Sequence, residues 1–563
     1  VTHDIRIVGD GPAADAAAAA FEDIDATVTD AGRPAMTVVV VPAGGSAAAL
    51  DGDHGRLAVV EIGGVGGRAV SDMDASVSVF GAEGPRFADL RQRVAASTDT
   101  DGSPSGDRSA VRFAGAVAGR RAVALLSGDR SVAGTVIEVA GAGVTAERRL
   151  LPVPTPEDRD RTVRRDHRDV DLDDALARAE RALDERIGPI EQVGERESFP
   201  VPYYLAGTAD TRGFSEVRAA EFAAGVDRDW DRAFMKALGE GLERYCAGVY
   251  RRSAFTVAPE RTRANPVPPS RFVRPEGGDV PDPETPVAWV PGTDLATDGS
   301  ASLPAAFVHY PPPAEEYKPP ITTGLGLGNS GVEALLAGLY ETIERDATML
   351  AWYSSFEPLE LELDDDGVDA LRRRARAEEL SVTTVLVTQD VDVPVVAAAV
   401  HRDGAWPRFA AGSAASLDPA AATRSALAEA LQNWMELRAL GPEAAANEGG
   451  AIGDYAADPG PAANFLDAGA SVPAGSVGPA SLPTGRAELE AVLDRVTAAG
   501  LDAYAARTTT RDVASLGFEA VRVLMPSAQP LFQGEPFFGD RARTVPAELG
   551  FEPDLDRAYH PFP

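Results

Sequence analysis

The sequence predicts two domains: a smaller Rossmann-like α/β domain over residues 1–160 and a larger α+β domain over residues 165–563. Three observations point there. The 563 residues exceed the size at which one hydrophobic core keeps growing. The chain begins as strand, glycine turn, helix and strand, whereas its later part interleaves long amphipathic helices with short β-rich runs. Within the first domain, after a Rossmann-like module over residues 1 to about 95, "AASTDTDGSPSGDRSA" interrupts the pattern with Ser, Gly, Asp and Pro, as a loop or linker does.

In chain order, "DIRIVGDGPAADAAAAAFEDIDATVTDAG" alternates as a strand and reaches Gly9, Gly11 and Ala14 in a G-x-G-x-x-A turn. It continues as an Ala-rich helix and gives a second strand ending at Asp30. That is the order of a nucleotide-binding βαβ unit, but the turn alone is a weak signal, and a scaffold without ligand is the favoured reading. "AMTVVVVPAG" and "RLAVVEIGGVGG" predict further buried parallel strands. "RRAVALLSGDRSVAGTVIEVAGAGVTAERRLLPVP" predicts β-type alternation that closes the first domain. Residues 170–188 predict an amphipathic helix with an acidic start and a Gly stop. In the larger domain, helices are expected near 229–252, 330–353 and 419–439, and strands at "TTVLVTQD", "VPVVAAAV" and "FEAVRVLM". The Pro- and Gly-rich stretches 256–320 and 441–485 read as surface loops.

Charge excludes several partners. The formal net charge is -34, and all but two of the 53 basic residues, Lys236 and Lys318, are Arg. A phosphate backbone needs a basic stripe, so nucleic acid is not expected, and anionic membrane surfaces are disfavoured for the same reason. Strong salt, with a Debye length of about 3 Å near 1 M, screens such self-repulsion. The composition therefore predicts a salt-adapted organism, a halophilic archaeon, and says little about substrate. Cys246 is the single cysteine, and the six histidines are scattered, so neither a disulfide framework nor a Cys- or His-based metal site is expected. With no signal-type h-region at the start and no apolar run of about 18 residues, the expected location is cytoplasmic.

The chemistry-bearing signal is a repeated E-x-x-E-R. In "DRAFMKALGEGLERYCAGVY", Met235, Leu238, Leu242, Tyr245 and Val249 form an apolar stripe, and Glu240, Glu243 and Arg244 lie opposite. In "GLYETIERDATMLAWY", Glu341, Glu344 and Arg345 take the same phase. One such string is ordinarily a solvated face with local ion pairs. The in-phase copy, the upstream Asn329 and Glu333, and the glycine-rich "TTGLGLGNSG" favour a site instead. Clustered carboxylates call for a cation, oxygen-rich sites suit Mg²⁺, and Mg²⁺ commonly arrives with phosphates. No G-x-x-x-x-G-K-[ST] loop is present, so phosphates would fall to Arg244 and Arg345. A third helix, "DPAAATRSALAEALQNWMEL", offers Arg424, Glu429 and Gln432, and alone would pass for a surface helix.

"KALGEGLERY", "TTGLGLGNSGVEALLAGLYETIERDA", "ATRSALAEALQNW" and the terminal "HPFP" resemble the YcaO family over about residues 165–563. The resemblance implies a YcaO-type ATP-binding domain, with ATP and Mg²⁺ as cofactors and both motif helices on one cleft. It implies Glu240, Glu243, Glu341 and Glu344 as metal ligands. Lys236, Glu240, Arg244, Asn329, Glu333, Glu341, Arg345 and Arg424 are implied as nucleotide contacts. Lys236 and Gly326 stand where many members have Ser. The implied activity is phosphorylation of a peptide-backbone amide, giving an azoline or a thioamide; the alternative is an accessory ATP-binding factor for another enzyme's modification of a ribosomal or other protein. No catalytic residue is singled out beyond the tail prolines Pro561 and Pro563, which in azoline-forming members reach the active site. Implied partners are a peptide or protein substrate and a TfuA-type or other protein, with a homodimer left open. The N-terminal region resembles ThiF-like partner domains, without their zinc-binding cysteines, which points to docking rather than adenylation. Cys246, at the edge of the apolar stripe, reads as buried packing rather than a nucleophile.

Overall fold

β-Branched runs at the start of the chain assemble one seven-stranded sheet, in the order Ala26–Val28, His3–Val8, Met36–Pro42, Leu57–Ile62, Ala75–Phe80, Thr135–Ala140 and Gly143–Arg149. The computed structural model describes residues 3–29, 32–46, 50, 55–97, 102–141, 143–154, 159–275, 282–314, 317–447 and 450–563. It divides into two compact units, one comprising Val1–Thr155, Glu180–Gln192 and Ala209–Ser215, the other Pro156–Ala179, Val193–Thr208 and Glu216–Pro563. The first four strands of the sheet pair in parallel and the remainder antiparallel, so the sheet is mixed. Asp30, the expected end of the second strand, lies outside the described residues.

The Rossmann-like start is present, and its glycine has a packing cause. Gly9 has φ 106°, and a Cβ there would sit 2.3 Å from the Val40 carbonyl oxygen. The segment "RRAVALL" is not a strand: it closes the helix Arg108–Leu126, capped by the Asp107 carboxylate. That helix crosses Pro12–Glu22 so closely that a Cβ on Gly115 would lie 2.2 Å from the Ala13 carbonyl oxygen. Small residues at 115 and 119 thus permit a helix–helix contact that local alternation does not reveal.

Most of the larger unit is built on two sheets, beside a smaller one that pairs Tyr203–Thr208 with Phe222–Val226. One runs Thr256–Pro259, Pro286–Asp294, Tyr504–Arg507, Glu519–Leu524, Leu325–Gly328, with Ser300–Pro304 paired to Pro286–Asp294. The other runs Phe409–Ala415, Val395–His401, Ser381–Leu386, Leu359–Glu362, Ser471–Pro473. Residues 256–320 are therefore not a loop region alone. They contribute three strands with Trp289 and Leu303 buried, and 441–485 contains the helices Ile452–Ala457 and Gly460–Leu466. Of the helix expected over 170–188, Leu172–Ala179 is α-helical.

The three long helices fall where periodicity placed them: Trp230–Gly248, Gly331–Trp352 and Pro419–Ala445. The second packs on strands of both sheets, and its apolar residues, Leu335, Leu339, Ile343, Met349 and Trp352 among them, are buried around its circumference. The third breaks at Gly441 (φ 76°) and resumes at Pro442, as a missing Cβ followed by a helix-starting proline allows.

Candidate nucleotide and metal site

Each motif helix is started by a side-chain cap. Asp229 accepts from the Arg232 amide, Ser330 from the Glu333 amide and Asp418 from the Ala420 amide, and each cap fixes the phase of its helix. Beneath the second helix runs the glycine-rich strand. A Cβ on Gly326 would lie 2.2 Å from the Ala334 carbonyl oxygen, so the strand can press against the helix only as glycine. Gly324, at φ 88°, donates its amide to Glu341 Oε2 at 3.0 Å.

The polar back of the second motif helix is largely buried, and that of the first is partly so, with side-chain exposure of 31% at Glu240 and 27% at Arg244. Glu344 is 8% exposed and the Arg345 side chain 14%. Ser413 Oγ donates to Glu344 Oε1 at 2.7 Å, and the Ser413 amide donates to Glu429 Oε2 at 2.8 Å. Arg345 lies between these acids, 3.6 Å from Glu344 and 3.9 Å from Glu429, and donates to the Pro563 carbonyl at 2.9 Å. On the first helix Glu240 pairs with Arg244 and accepts from the Ala224 amide at 3.2 Å. Burial pushes the Glu243 carboxyl up to about 8, reinforced by Glu341 and Glu240 and opposed by Arg244 and Arg522. Burial likewise raises Glu240, Glu344 and Glu429 above the usual carboxylate range, and Glu341 adds repulsion to each. Glu341 is the common neighbour of both motif helices' acids.

Acids thus outnumber the interior cations Arg244, Arg345 and Arg522, and each ionised carboxylate raises its neighbours. The arrangement suits divalent cations. Among the described residues no group of three or more His, Cys, Asp or Glu side chains is poised to hold a metal ion by itself.

Other residues singled out in the sequence occupy different surroundings. Asn329 donates its backbone N–H and its Nδ2 to Glu333 Oε2, at 2.7 and 3.0 Å, and accepts from Arg178 Nη2 at 2.5 Å. Lys236 is half-exposed, ion-paired to Asp227 at 2.8 Å and bonded to the Val226 carbonyl. Arg424 bonds Asp365 at 2.6 Å and lies 3.5 Å from Asp418. Pro561 is buried in a tail whose His560 contacts the Phe532 carbonyl at 2.8 Å. Cys246 is fully buried beside Thr510, and burial pushes its thiol up to about 12.

Sequence reasoning passed over Ser413, Glu436 and Arg522, and gave Glu429 no role. Glu436 accepts from Tyr203 Oη at 2.8 Å and from Gln432 Nε2 at 2.9 Å. Arg522 is 4% exposed, its two terminal nitrogens held by the Thr322 and Ile321 carbonyls. Glu429 and Glu436 sit on the third helix two turns apart, the one signal that could have drawn them in; Ser413 and Arg522 lie on strands and carry none.

A family description, YcaO cyclodehydratase, ATP- and Mg²⁺-binding, matches residues 224–529, more than half of the chain. The chain belongs to the YcaO family. ATP and Mg²⁺ are accordingly the ligands of its YcaO domain, and the carboxylate excess around Arg345 fits them. An uncharacterized protein of Methanothermobacter thermautotrophicus is 29% identical over 261 residues, which cover 43% of this chain and 64% of the relative. A second relative, an uncharacterized protein in the tfuA 3′ region of Rhizobium leguminosarum bv. trifolii, is 28% identical over 26% of this chain and 39% of its own length. The chain thus spans less than two thirds of either relative. Among solved structures, a heterocyclase in complex with substrate and cofactor superposes with TM-score 0.73 at 17% identity, covering 100% of this chain and 85% of that one. That likeness establishes a shared fold for both units of the YcaO protein. No helix among the described residues is long and apolar enough to cross a membrane.

Proposed function

We propose that the chain uses ATP to activate a peptide-backbone amide in a peptide or protein, converting its oxygen into a phosphate leaving group for attack by a Cys, Ser or Thr side chain or by sulfide. An amide needs this help because resonance leaves its carbonyl a poor electrophile. The observation that carries the reading is the set of carboxylates, Glu240 and Glu243 beside Arg244, and Glu344 and Glu429 beside Arg345, each raised by burial and by the shared neighbour Glu341. Glu240, Glu243, Glu341 and Glu344 would hold Mg²⁺, which supplies charge neutralisation on the transferring phosphoryl group. Arg244 and Arg345 would orient phosphate oxygens, and the Asn329–Glu333–Arg178 set, with Lys236 and Arg424 at the periphery, would make the remaining nucleotide contacts. Burial would keep water from intercepting the phosphorylated amide.

Azoline formation is the leading outcome. A thioamide, formed with a TfuA-type partner, is the second, favoured by the relative from a tfuA region. We assign the smaller unit a docking role as a ThiF-like domain without metal, and the -34 charge to a cytoplasm of high salt. ATP turnover in molar KCl with Mg²⁺, for wild type and Glu344→Gln, tests the reading, followed by mass spectrometry of candidate peptides. Loss of one water marks cyclodehydration and replacement of oxygen by sulfur marks thioamidation. Nucleotide bound without turnover would point to the accessory role, and equal nucleotide binding by Glu243→Gln/Glu344→Gln would refute the site.

A further inference from the structure

Arg345 lines a second space besides the carboxylate cluster. A cavity of ≈ 50 Å³ has apolar walls that include Phe272, Phe307 and Ile321, and its charged lining residues, among those described, are Lys318, Arg345 and Arg522. No carboxylate among the described residues lines it, in a chain whose net charge is -34. The size admits a group of a few atoms and excludes a nucleotide.

One of its cations has a donor to spare. Arg522 is 4% exposed, and although its terminal nitrogens are held by backbone carbonyls, its Nε is buried without a hydrogen-bond partner. A buried donor left unpaired is destabilising, and an anion in the cavity would recover that loss. The Lys318 ammonium stands 5.7 Å from the centre of the Phe307 ring. Lys318 is one of only two lysines in a chain that otherwise uses Arg. Burial, reinforced by the Arg522 charge, pushes its amine down to about 7. Among the described residues the charged groups that line the cavity with it are Arg522 and Arg345; Glu243 and Glu341 act on Arg522.

We propose that this cavity is a binding pocket for inorganic phosphate, held by Lys318 Nζ and Arg522 Nε with Arg345 at its edge. This rests on the ATP reading for the source of the ion: Arg345 belongs both to the carboxylate cluster and to the pocket, so phosphate expelled from the activated amide has a cationic place to go. A dianion there stabilises the Lys318 ammonium, so above neutral pH phosphate enters together with a proton.

The two-lysine composition makes the test direct. Full-length chain labelled with ¹³C-lysine gives two Cε resonances, assigned with Lys236→Arg, and is titrated without nucleotide in potassium glutamate. Phosphate, and sulfate as a second tetrahedral oxyanion, are expected to shift the Lys318 resonance saturably and raise its titration midpoint, leaving Lys236 unmoved. Acetate at equal concentration leaves both unmoved. Lys318→Gln and, separately, Arg522→Lys weaken phosphate binding at least tenfold by calorimetry, and unchanged far-ultraviolet circular dichroism shows that each variant folds. A Lys318 signal indifferent to phosphate, one that moves only in parallel with Lys236, or one that answers acetate as strongly overturns the pocket. Binding of a non-hydrolysable Mg²⁺–ATP analogue is measured on the same sample. Phosphate response without nucleotide binding would sink the ATP reading and leave the pocket standing, and the reverse result would do the opposite.

Discussion

Removing one negative charge from the carboxylate cluster should make the metal-free chain more stable, and only at high pH. Glu243 is the cleanest place, since burial and the neighbours Glu341 and Glu240 push its carboxyl to about 8 from an ordinary 4.5. The folded chain therefore holds this proton more tightly than the unfolded chain does. Its contribution to stability is full below about 4.5 and falls as pH rises, until both states are ionised above about 8. The slope between those limits is about 1.4 kcal/mol per pH unit, so about 3 kcal/mol goes between pH 6 and pH 8. Spread over the unfolding enthalpy of the larger unit, that is on the order of 5 °C in Tm. Glu243→Gln has no proton to lose there. Calorimetric melts in molar KCl with EDTA, from pH 6 to 8.5, should show the variant overtaking wild type as pH rises. Adding Mg²⁺ with a non-hydrolysable ATP analogue should flatten the wild-type curve and leave the variant's slope unchanged. Parallel Tm–pH curves in EDTA would refute the claim that these acids are buried together and repel.

Other perturbations separate scaffold from site. Arg541 binds Asp346 and Asp390 at 2.6 and 2.8 Å, and Asp346 is 2% exposed, so Arg541→Leu strands a buried charge. It should cost about 3–5 kcal/mol in urea unfolding while nucleotide affinity per folded molecule holds. Gly326→Ala would place a methyl 2.2 Å from the Ala334 carbonyl, and displacement of the second motif helix should cost about 1–3 kcal/mol and lower Mg²⁺–ATP affinity in calorimetry. Cys246, buried with its thiol near 12, should resist iodoacetamide in the native chain and react within the unfolding transition, as followed by mass spectrometry.

Much of the site was legible because an α-helix converts spacing into direction. Glu240, Glu243 and Arg244 share the phase of Glu341, Glu344 and Arg345, and both strings lie on helices whose ends the capping residues Asp229 and Ser330 mark. What surrounds a helix is not encoded in its own period. The second motif helix packs on two sheets, so its polar back is buried as well as its apolar stripe, and Glu344 meets Ser413 from a strand 69 residues away in sequence. Arg522 and Ser413 carry no local mark, since each reaches the site only through strand pairing. Proline misled the reading of residues 256–320: Pro286, Pro291 and Pro304 sit within strands that pair antiparallel around the buried Trp289 and Leu303. Alternation misled it from residue 120, where the segment instead closes a helix that crosses another through the small residues 115 and 119.

By itself the sequence determined the charge balance, the helical phase of the paired motifs, the family they resemble and the single cysteine, because charge, periodicity and residue count need no neighbours. Only the tertiary structure decided that the carboxylates are desolvated together, that Arg345 joins them to Pro563, and that Lys318 and Arg522 line a cavity with no acid among its described lining residues. Desolvation and mutual repulsion depend on distances through space between segments far apart in the chain, and those distances exist only once the sheets have paired.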